Sequence, residues 1–241
     1  MSKGKNFTHR LISIDDKPVW LPRITYVLDK VIDKGPGFRK WLQWNGKEAD
    51  EIANDAAEEG SKVHKVSEIL FEQGKVNLKD VYYEVDGIPH KGLTEESEVK
   101  KVIGFKNCIL ENNWKYYSTE LMVHDGKCSG QLDIIAIAKD QDVYHLSDIK
   151  CGKNIYESHK IQLMFYLKCL KSIHPDWTII PHLLHLKDNT KKGFQLIDFT
   201  DNEINDYTRG YEEVYDLYKI LGFPMEPSPE YEIPEEINLL E

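Results

Sequence analysis

Residues 132 to 138 read Leu-Asp-Ile-Ile-Ala-Ile-Ala, a stretch that is apolar on both sides of an extended strand. Side chains in a strand alternate faces, so such a segment is stable only as a central strand covered above and below. Its neighbours along the chain supply the rest of a sheet. Tyr116 to Val123 precedes it across His124-Asp125-Gly126-Lys127, and Val143 to Lys150 follows across a turn at Lys139 to Asp142. Asp-Gly between apolar runs signals a hairpin, so the three segments form a meander. A lone Asp133 at the head of the central strand is costly if buried and unpaired.

Around this meander the periodicity turns helical. Between residues 48 and 73, Ile52, Ala56, Gly60, His64 and Glu68 recur at spacings of four and share one helical face. The small residues of that stripe predict a close approach to the sheet. Residues 95 to 113 form a second helix, with Val99, Val102, Ile103, Phe105, Ile109 and Leu110 on its apolar side. A strongly apolar helix from Tyr156 to Ile173 is followed by strands at Trp177 to Leu186 and around Gly193 to Phe199. Thr200-Asp201-Asn202-Glu203 has capping-box spacing and opens a last helix carrying Ile204, Tyr207, Tyr211, Val214, Tyr215, Tyr218 and Leu221. Residues 74 to 94 lack a decisive pattern and are read as a loop-rich insertion. Hydrophobic residues make up 41% of the chain and are spread evenly, which predicts one domain over residues 1–225. Residues 226–241, rich in Pro and Glu, read as a loose acidic tail.

No apolar stretch approaches the roughly 20 residues of a membrane span, and the opening residues lack a hydrophobic signal core. The expected location is the cytoplasm. Cys108, Cys128, Cys151 and Cys169 stand far apart without a CxxC, which argues against a zinc knuckle and a disulfide framework. The net charge of -10 is unfavourable for a partner of nucleic acid, but it is unevenly distributed. Residues 226 to 241 hold six acids and no base, whereas residues 1 to 47 hold ten Lys or Arg against four Asp. Exposed charges are screened over roughly 10 Å at ordinary salt, so a phosphate backbone responds to the local patch rather than to the total.

The chemistry concentrates at Asp148-Ile149-Lys150. Strand alternation puts Asp148 and Lys150 on one side and Ile149 on the other, so a carboxylate and an ammonium sit side by side. A phosphodiester hydrolase needs that combination: acidic oxygens to hold Mg²⁺ or Mn²⁺, and a cation to position water or offset charge growing on the phosphate. An isolated Asp-x-Lys is most often an ordinary ion pair at a strand edge. Here it follows Gly130-Gln131-Leu132-Asp133 by one hairpin and precedes a helix bearing Gln162 and Tyr166.

The order helix, three meandering strands, helix, strand, with these motifs in register, resembles the PD-(D/E)XK nuclease superfamily, in its RecB-like branch. The matching residues are Gly60 to His64, Gly130 to Asp133, Asp148-Ile149-Lys150, and Gln162 with Tyr166. The segment from Leu21 to Trp44 is also similar to the start of the mitochondrial genome maintenance exonucleases and their phage and bacterial relatives. The resemblance covers roughly residues 20 to 186. It implies an α/β fold with a restriction-endonuclease-like core, a central mixed β-sheet flanked by helices. It further implies Mg²⁺- or Mn²⁺-dependent DNA cleavage, with His64, Asp133 and Asp148 as metal ligands, the carbonyl of Ile149 completing the shell, and Lys150 as the catalytic lysine. The cysteine cluster of the iron-sulfur members is missing, so no such cluster is expected. The implied setting is a bacterial or phage-infected cell.

The remaining candidates are weighed against plainer roles. Glu120, on the first strand of the meander, and Glu68 are candidates to orient Lys150 or water, or are simply solvated acids. Gln162 and Tyr166 are either packing residues with a polar edge or, as the resemblance implies, groups at the rim of the site, where the amide orients the scissile region and the phenol touches phosphate or base. Arg39, Lys40, Trp41 and Trp44 combine aromatic faces with positive charge within an arm at about residues 20–47, as suits single-stranded nucleic acid, or else form a helix packed on the core. His174, His182 and His185 fit no common zinc spacing. The expectation is an exonuclease acting on single-stranded or frayed DNA ends in recombination, repair or phage replication. The alternatives are a structure-selective endonuclease using the same centre and a non-cleaving DNA-binding protein of the same fold.

Overall fold

The computed structural model describes residues 8–85, 88–138 and 142–227. The expected turn at Lys139 to Asp142 therefore lies largely outside the described residues, as does most of the expected tail.

The chain opens with an unanticipated hairpin, β1 (His9–Ile14) and β2 (Lys17–Pro22). Ile14 pairs with Lys17, and the two loop residues Asp15 and Asp16 take φ of 50° and 60°. That is the conformation of a two-residue type I′ turn, which Asp tolerates better than most residues. Helix α1 (Ile24–Val31) follows, then α2 (Gly35–Asn45), with Pro36 in its first turn and no buried residue. Because α2 buries nothing, it is not a core helix. Helix α3 (Ala49–Gln73) buries Val63, Val66, Ser67 and Phe71 and ends on Gly74 in the left-handed conformation. The four-residue stripe does not pack against the sheet as expected. Ile52 and Ala56 are exposed and Gly60 and His64 are half-buried, because this side of α3 walls a cleft where small side chains leave room.

Residues 74 to 94 also depart from expectation. They contain a hairpin, β3 (Tyr82–Val85) and β4 (Ile88–Lys91), tied down by Tyr83, whose hydroxyl donates to the Gly92 carbonyl at 3.0 Å. Four residues per strand are too few for the alternation to stand out. Helix α4 (Glu96–Glu111) comes next, started by a capping box between Glu95 and Glu98.

The remaining elements are β5 (Trp114–His124), β6 (Ser129–Ala138), β7 (Val143–Lys150), α5 (Glu157–Ile173), β8 (Thr178–Leu186), β9 (Phe194–Ile197) and α6 (Asp201–Ile220). The strands form one sheet in the order β5-β6-β7-β8-β9. Only β7 and β8 are parallel, with α5 as the crossover that a parallel connection requires. The sheet is thus mixed, and helices cover both faces. Leu132, Ile135, Leu146 and Leu183 pack toward α1, α5 and α6, while Ile134, Ala136, Ile149 and Leu184 pack toward α3 and α4. The doubly apolar strand read from the sequence is the middle of this sandwich. Close layer contacts depend on glycine at Gly130, where an added Cβ would stand 2.4 Å from Cε1 of Tyr166 on α5. Among the described residues no helix is long and apolar enough to cross a membrane.

Candidate active site

Two adjacent strands part company here, and an acidic side chain fills the gap. The last backbone pair between β6 and β7 is Ile134 with Ser147. Beyond it, Asp133 Oδ2 accepts from the Ile149 amide at 2.7 Å, so a side chain replaces the missing rung of the ladder. This satisfies the buried donor and fixes the Asp133 carboxylate between the strands. From α3, His64 brings Nδ1 to 3.6 Å from Asp133 Oδ1. Asp148, almost wholly buried, holds Lys150 with Oδ2 at 2.7 Å from Nζ. Lys150 Nζ also donates to Gln162 Oε1 at 3.3 Å, and Gln162 Nε2 donates to the Tyr166 hydroxyl at 2.7 Å. His64, Asp133, Asp148, Lys150 and Gln162, from four elements, form one cluster.

Glu120 joins it from β5. In the register that pairs Thr119 with Ile134 and Leu121 with Leu132, Glu120 stands opposite Asp133. Two acids facing each other across strands repel, and Glu120 also sits at φ 53°, a left-handed conformation costly for a residue with a side chain. Its carboxylate accepts from Gln131, which in turn accepts from Arg10 Nη2 at 2.7 Å. Arg10 lies on β1, and the sequence reading missed it because that hairpin was not foreseen. The alternation in Arg10-Leu11-Ile12-Ser13-Ile14 was the available signal.

The electrostatics follow from burial and proximity. Burial works against charge on His64, but the Asp133 carboxylate overrides it and holds the imidazole well above its ordinary pKa. Asp133 is lowered despite burial, by His64, Lys150 and the Ile149 amide. Asp148 is raised to about 6, because burial and the Asp133 charge outweigh the Lys150 ammonium. Lys150 is raised against burial by Asp148 and Asp133. Glu120 is raised by burial, then by Asp133 and Glu68.

His64, Glu120, Ile149, Lys150, Cys151 and Gly152 line a cleft of about 420 Å³, and Asp133 and Asp148 do not reach it. Nor does Tyr166. Expected at the rim as a contact to phosphate or base, this phenol is 2% exposed inside the apolar cluster under the sheet, because α5 turns that face to the core. Its reach into the site runs through Gln162. Glu68 is held by Lys65 at 2.6 Å. Arg39, Lys40, Trp41 and Trp44 lie on α2 apart from the cluster, with Arg39 ion-paired to Asp33, Trp41 stacked on Phe38 and Trp44 87% exposed.

Among the described residues no three His, Cys, Asp or Glu side chains are gathered in metal-binding geometry. Asp133 is turned to the Ile149 amide and His64, and Asp148 to Lys150. The donor set nonetheless suits a divalent ion: two carboxylates are the hard oxygens Mg²⁺ and Mn²⁺ favour, and one imidazole suits Mn²⁺. Asp148 Oδ2, despite its ion pair, is a buried oxygen without a well-aligned hydrogen bond, and so has lone-pair capacity to spare.

No family model and no curated protein matches this chain. Among solved structures it is similar to that of "Putative exonuclease" from Eubacterium rectale, at 14% identity and a TM-score of 0.37, over 54% of this chain and 55% of that one. It is similar also to SSO0001, at 14% identity and a TM-score of 0.26, over 78% of this chain and 91% of that one. The first match spans about half the length of either protein. At such scores neither likeness bears on function.

Proposed function

We propose that this chain is a divalent-metal-dependent nuclease that hydrolyses DNA phosphodiesters, acting as an exonuclease on single-stranded or frayed ends. The observation that carries the reading is the gathering of His64, Asp133, Asp148 and Lys150 where β6 and β7 separate, with His64 and Lys150 lining an open cleft and the two carboxylates set behind them. His64, Asp133, Asp148 and the carbonyl of Ile149 would hold Mg²⁺ or Mn²⁺. Once bound, that ion supplies Lewis-acid polarisation of the phosphate and lowers the pKa of water.

The remaining work falls to side chains. Lys150 keeps its proton at Nζ, since Asp148 and Asp133 raise its pKa, and it offsets negative charge growing on the phosphate. Gln162 holds that ammonium in place, and buried Tyr166 holds Gln162. Glu120, whose pKa burial and Asp133 raise, lines the cleft, where it would orient water. The exposed aromatic and basic face of α2 is a surface for the incoming strand.

End-labelled single- and double-stranded DNA, incubated with Mg²⁺, Mn²⁺ or chelator, tests activity, polarity and metal need together. The expected result is metal-dependent release of nucleotides from linear DNA with circular single strands left whole. Cleavage in chelator, or none with either metal, defeats the reading.

A further inference from the structure

A second cavity, of about 600 Å³, adjoins the cleft at Lys150, which lines both. It lies between α1, the start of α2 and the first turn of α5, walled by Leu28, Ile32, Phe38, Tyr156, His159 and Gln162. The two chambers differ in character. The cleft presents His64, Glu120 and Lys150, whereas this cavity is mostly apolar and aromatic, with ion pairs at its edge. Lys34 pairs with Asp29 at 3.0 Å, Lys160 with Glu157 at 2.8 Å, and Arg39 with Asp33. The wall carries the acids Asp29, Asp33 and Glu157 against Lys34 and Lys150, so it does not favour a phosphate, and what fits is an uncharged, flat group carried beside one.

His159 adds a directional element. Its Nδ1 accepts from the Tyr156 amide at 3.3 Å, which leaves the proton on Nε2 as a donor. Burial, Lys150 and His185 depress its pKa to about 3, so the ring is neutral throughout the working range. Tyr156, 46% exposed and set edge-on to His159, offers an aromatic face, and half-buried Phe38, stacked on Trp41 with the Lys34 ammonium 5.0 Å from its centroid, adds an aromatic wall from a second element. Aromatic faces with a neutral hydrogen-bond donor and a cation at one end match a nucleoside attached to a phosphate.

We propose that this cavity receives the base of the nucleotide whose phosphate lies at Lys150, stacked against Tyr156 and bounded by Phe38, with its edge toward His159. The inference rests on the nuclease reading for the position of the phosphate, but not for the chemistry of the cavity. The test is a titration of the isotope-labelled full-length protein with 2′-deoxyadenosine and, separately, with inorganic phosphate, both without metal, followed by NMR. Deoxyadenosine should shift resonances of Leu28, Ile32 and His159, and phosphate should leave Leu28 and Ile32 unmoved. Phe38→Ala, on a helix that buries nothing, should weaken binding about tenfold. Ile32→Trp should fill the cavity and abolish the shifts while the rest of the spectrum stays folded. Shifts absent from the wild type, or unchanged in both variants, overturn the proposal. A wild type that cleaves DNA but binds no deoxyadenosine overturns the cavity's role alone; one that binds deoxyadenosine in this cavity but cleaves nothing overturns the nuclease reading alone.

Discussion

Asp148 and Lys150 stabilise each other, and the buried carboxylate depends on the pair more than the ammonium does. Asp148 is 1% exposed, and removal of one partner from a buried pair leaves an uncompensated charge. Lys150→Ala should therefore lower stability by about 3 kcal/mol in metal-free urea unfolding, as well as reducing turnover by about 10²–10³-fold. Asp148→Asn should cost less stability, because Lys150 still faces Asp133 and Gln162. Equal losses would show that Asp133 and Gln162 give the ammonium no support of their own. A second residue-scale effect lies away from the cleft. His145 Nδ1 and His182 Nε2 are 2.8 Å apart beside Trp114, and His182 Nδ1 bonds Asp198 at 2.6 Å. Burial, then the neighbouring His182, pushes His145 from 6.5 down to about 4. The unfolded chain thus takes up a proton near 6.5 while the folded one does not until about 4. Stability from this group is fully present above 6.5, falls as pH drops through that window, and levels off below 4, with a total loss of at most about 3 kcal/mol. Urea midpoints at pH 7 and 4.5 measure it, and His145→Phe should flatten the profile.

Among the elements, two glycines of the same site predict opposite outcomes. A Cβ at Gly130 would meet Tyr166 at 2.4 Å and Phe165 at 3.0 Å, both fixed by α5 in the core, so Gly130→Ala should destabilise by about 2 kcal/mol and loosen the Gln162–Lys150 contact. At Gly60 the added Cβ would meet only Cys151 at 3.8 Å, an ordinary contact. Gly60→Ala should stabilise α3 by up to about 1 kcal/mol through backbone propensity. Thermal unfolding of the two variants separates a glycine kept for close packing from one that merely borders the cleft. The same distinction explains how well elements could be read. The central strand, α5 and α6 repeat their apolar pattern over enough residues to declare type and buried face. Helix α4 declares its type but not its whole face: Ile103 and Leu110, expected on the apolar side, are exposed, and the buried positions are Val102, Phe105 and Cys108. The short strands at 9–22 and 82–91 declare neither, and α3 carries its small residues on the cleft side while Val63, Val66 and Phe71 provide its packing.

At the scale of the whole molecule, the net charge of -10 is set against a site where acids and cations already neutralise one another. A divalent ion held by Asp133, Asp148 and His64 would compete with Lys150 and with the proton on His64, and would add its binding energy to the native state alone. Mn²⁺ at a hundred times its dissociation constant should therefore stabilise the fold by about 2.7 kcal/mol, and Asp133→Asn with Asp148→Asn should lose that increment. Calorimetry alongside thermal unfolding in Mn²⁺ and in chelator reads it directly; an unfolding temperature indifferent to metal would count against the site.

The amino-acid sequence by itself determined the layers, because a strand apolar on both faces needs cover on both, and it placed Asp133, Asp148 and Lys150 on neighbouring strands by alternation alone. Only the tertiary structure decided that β6 and β7 separate there, that Asp133 takes the Ile149 amide, that Tyr166 turns inward, and that Arg10 arrives through Gln131 from a hairpin more than a hundred residues away. Periodicity reports which side of an element is apolar. Which polar groups then meet is set by register and packing between distant segments, and those are properties of the assembled layers rather than of any one stretch of chain.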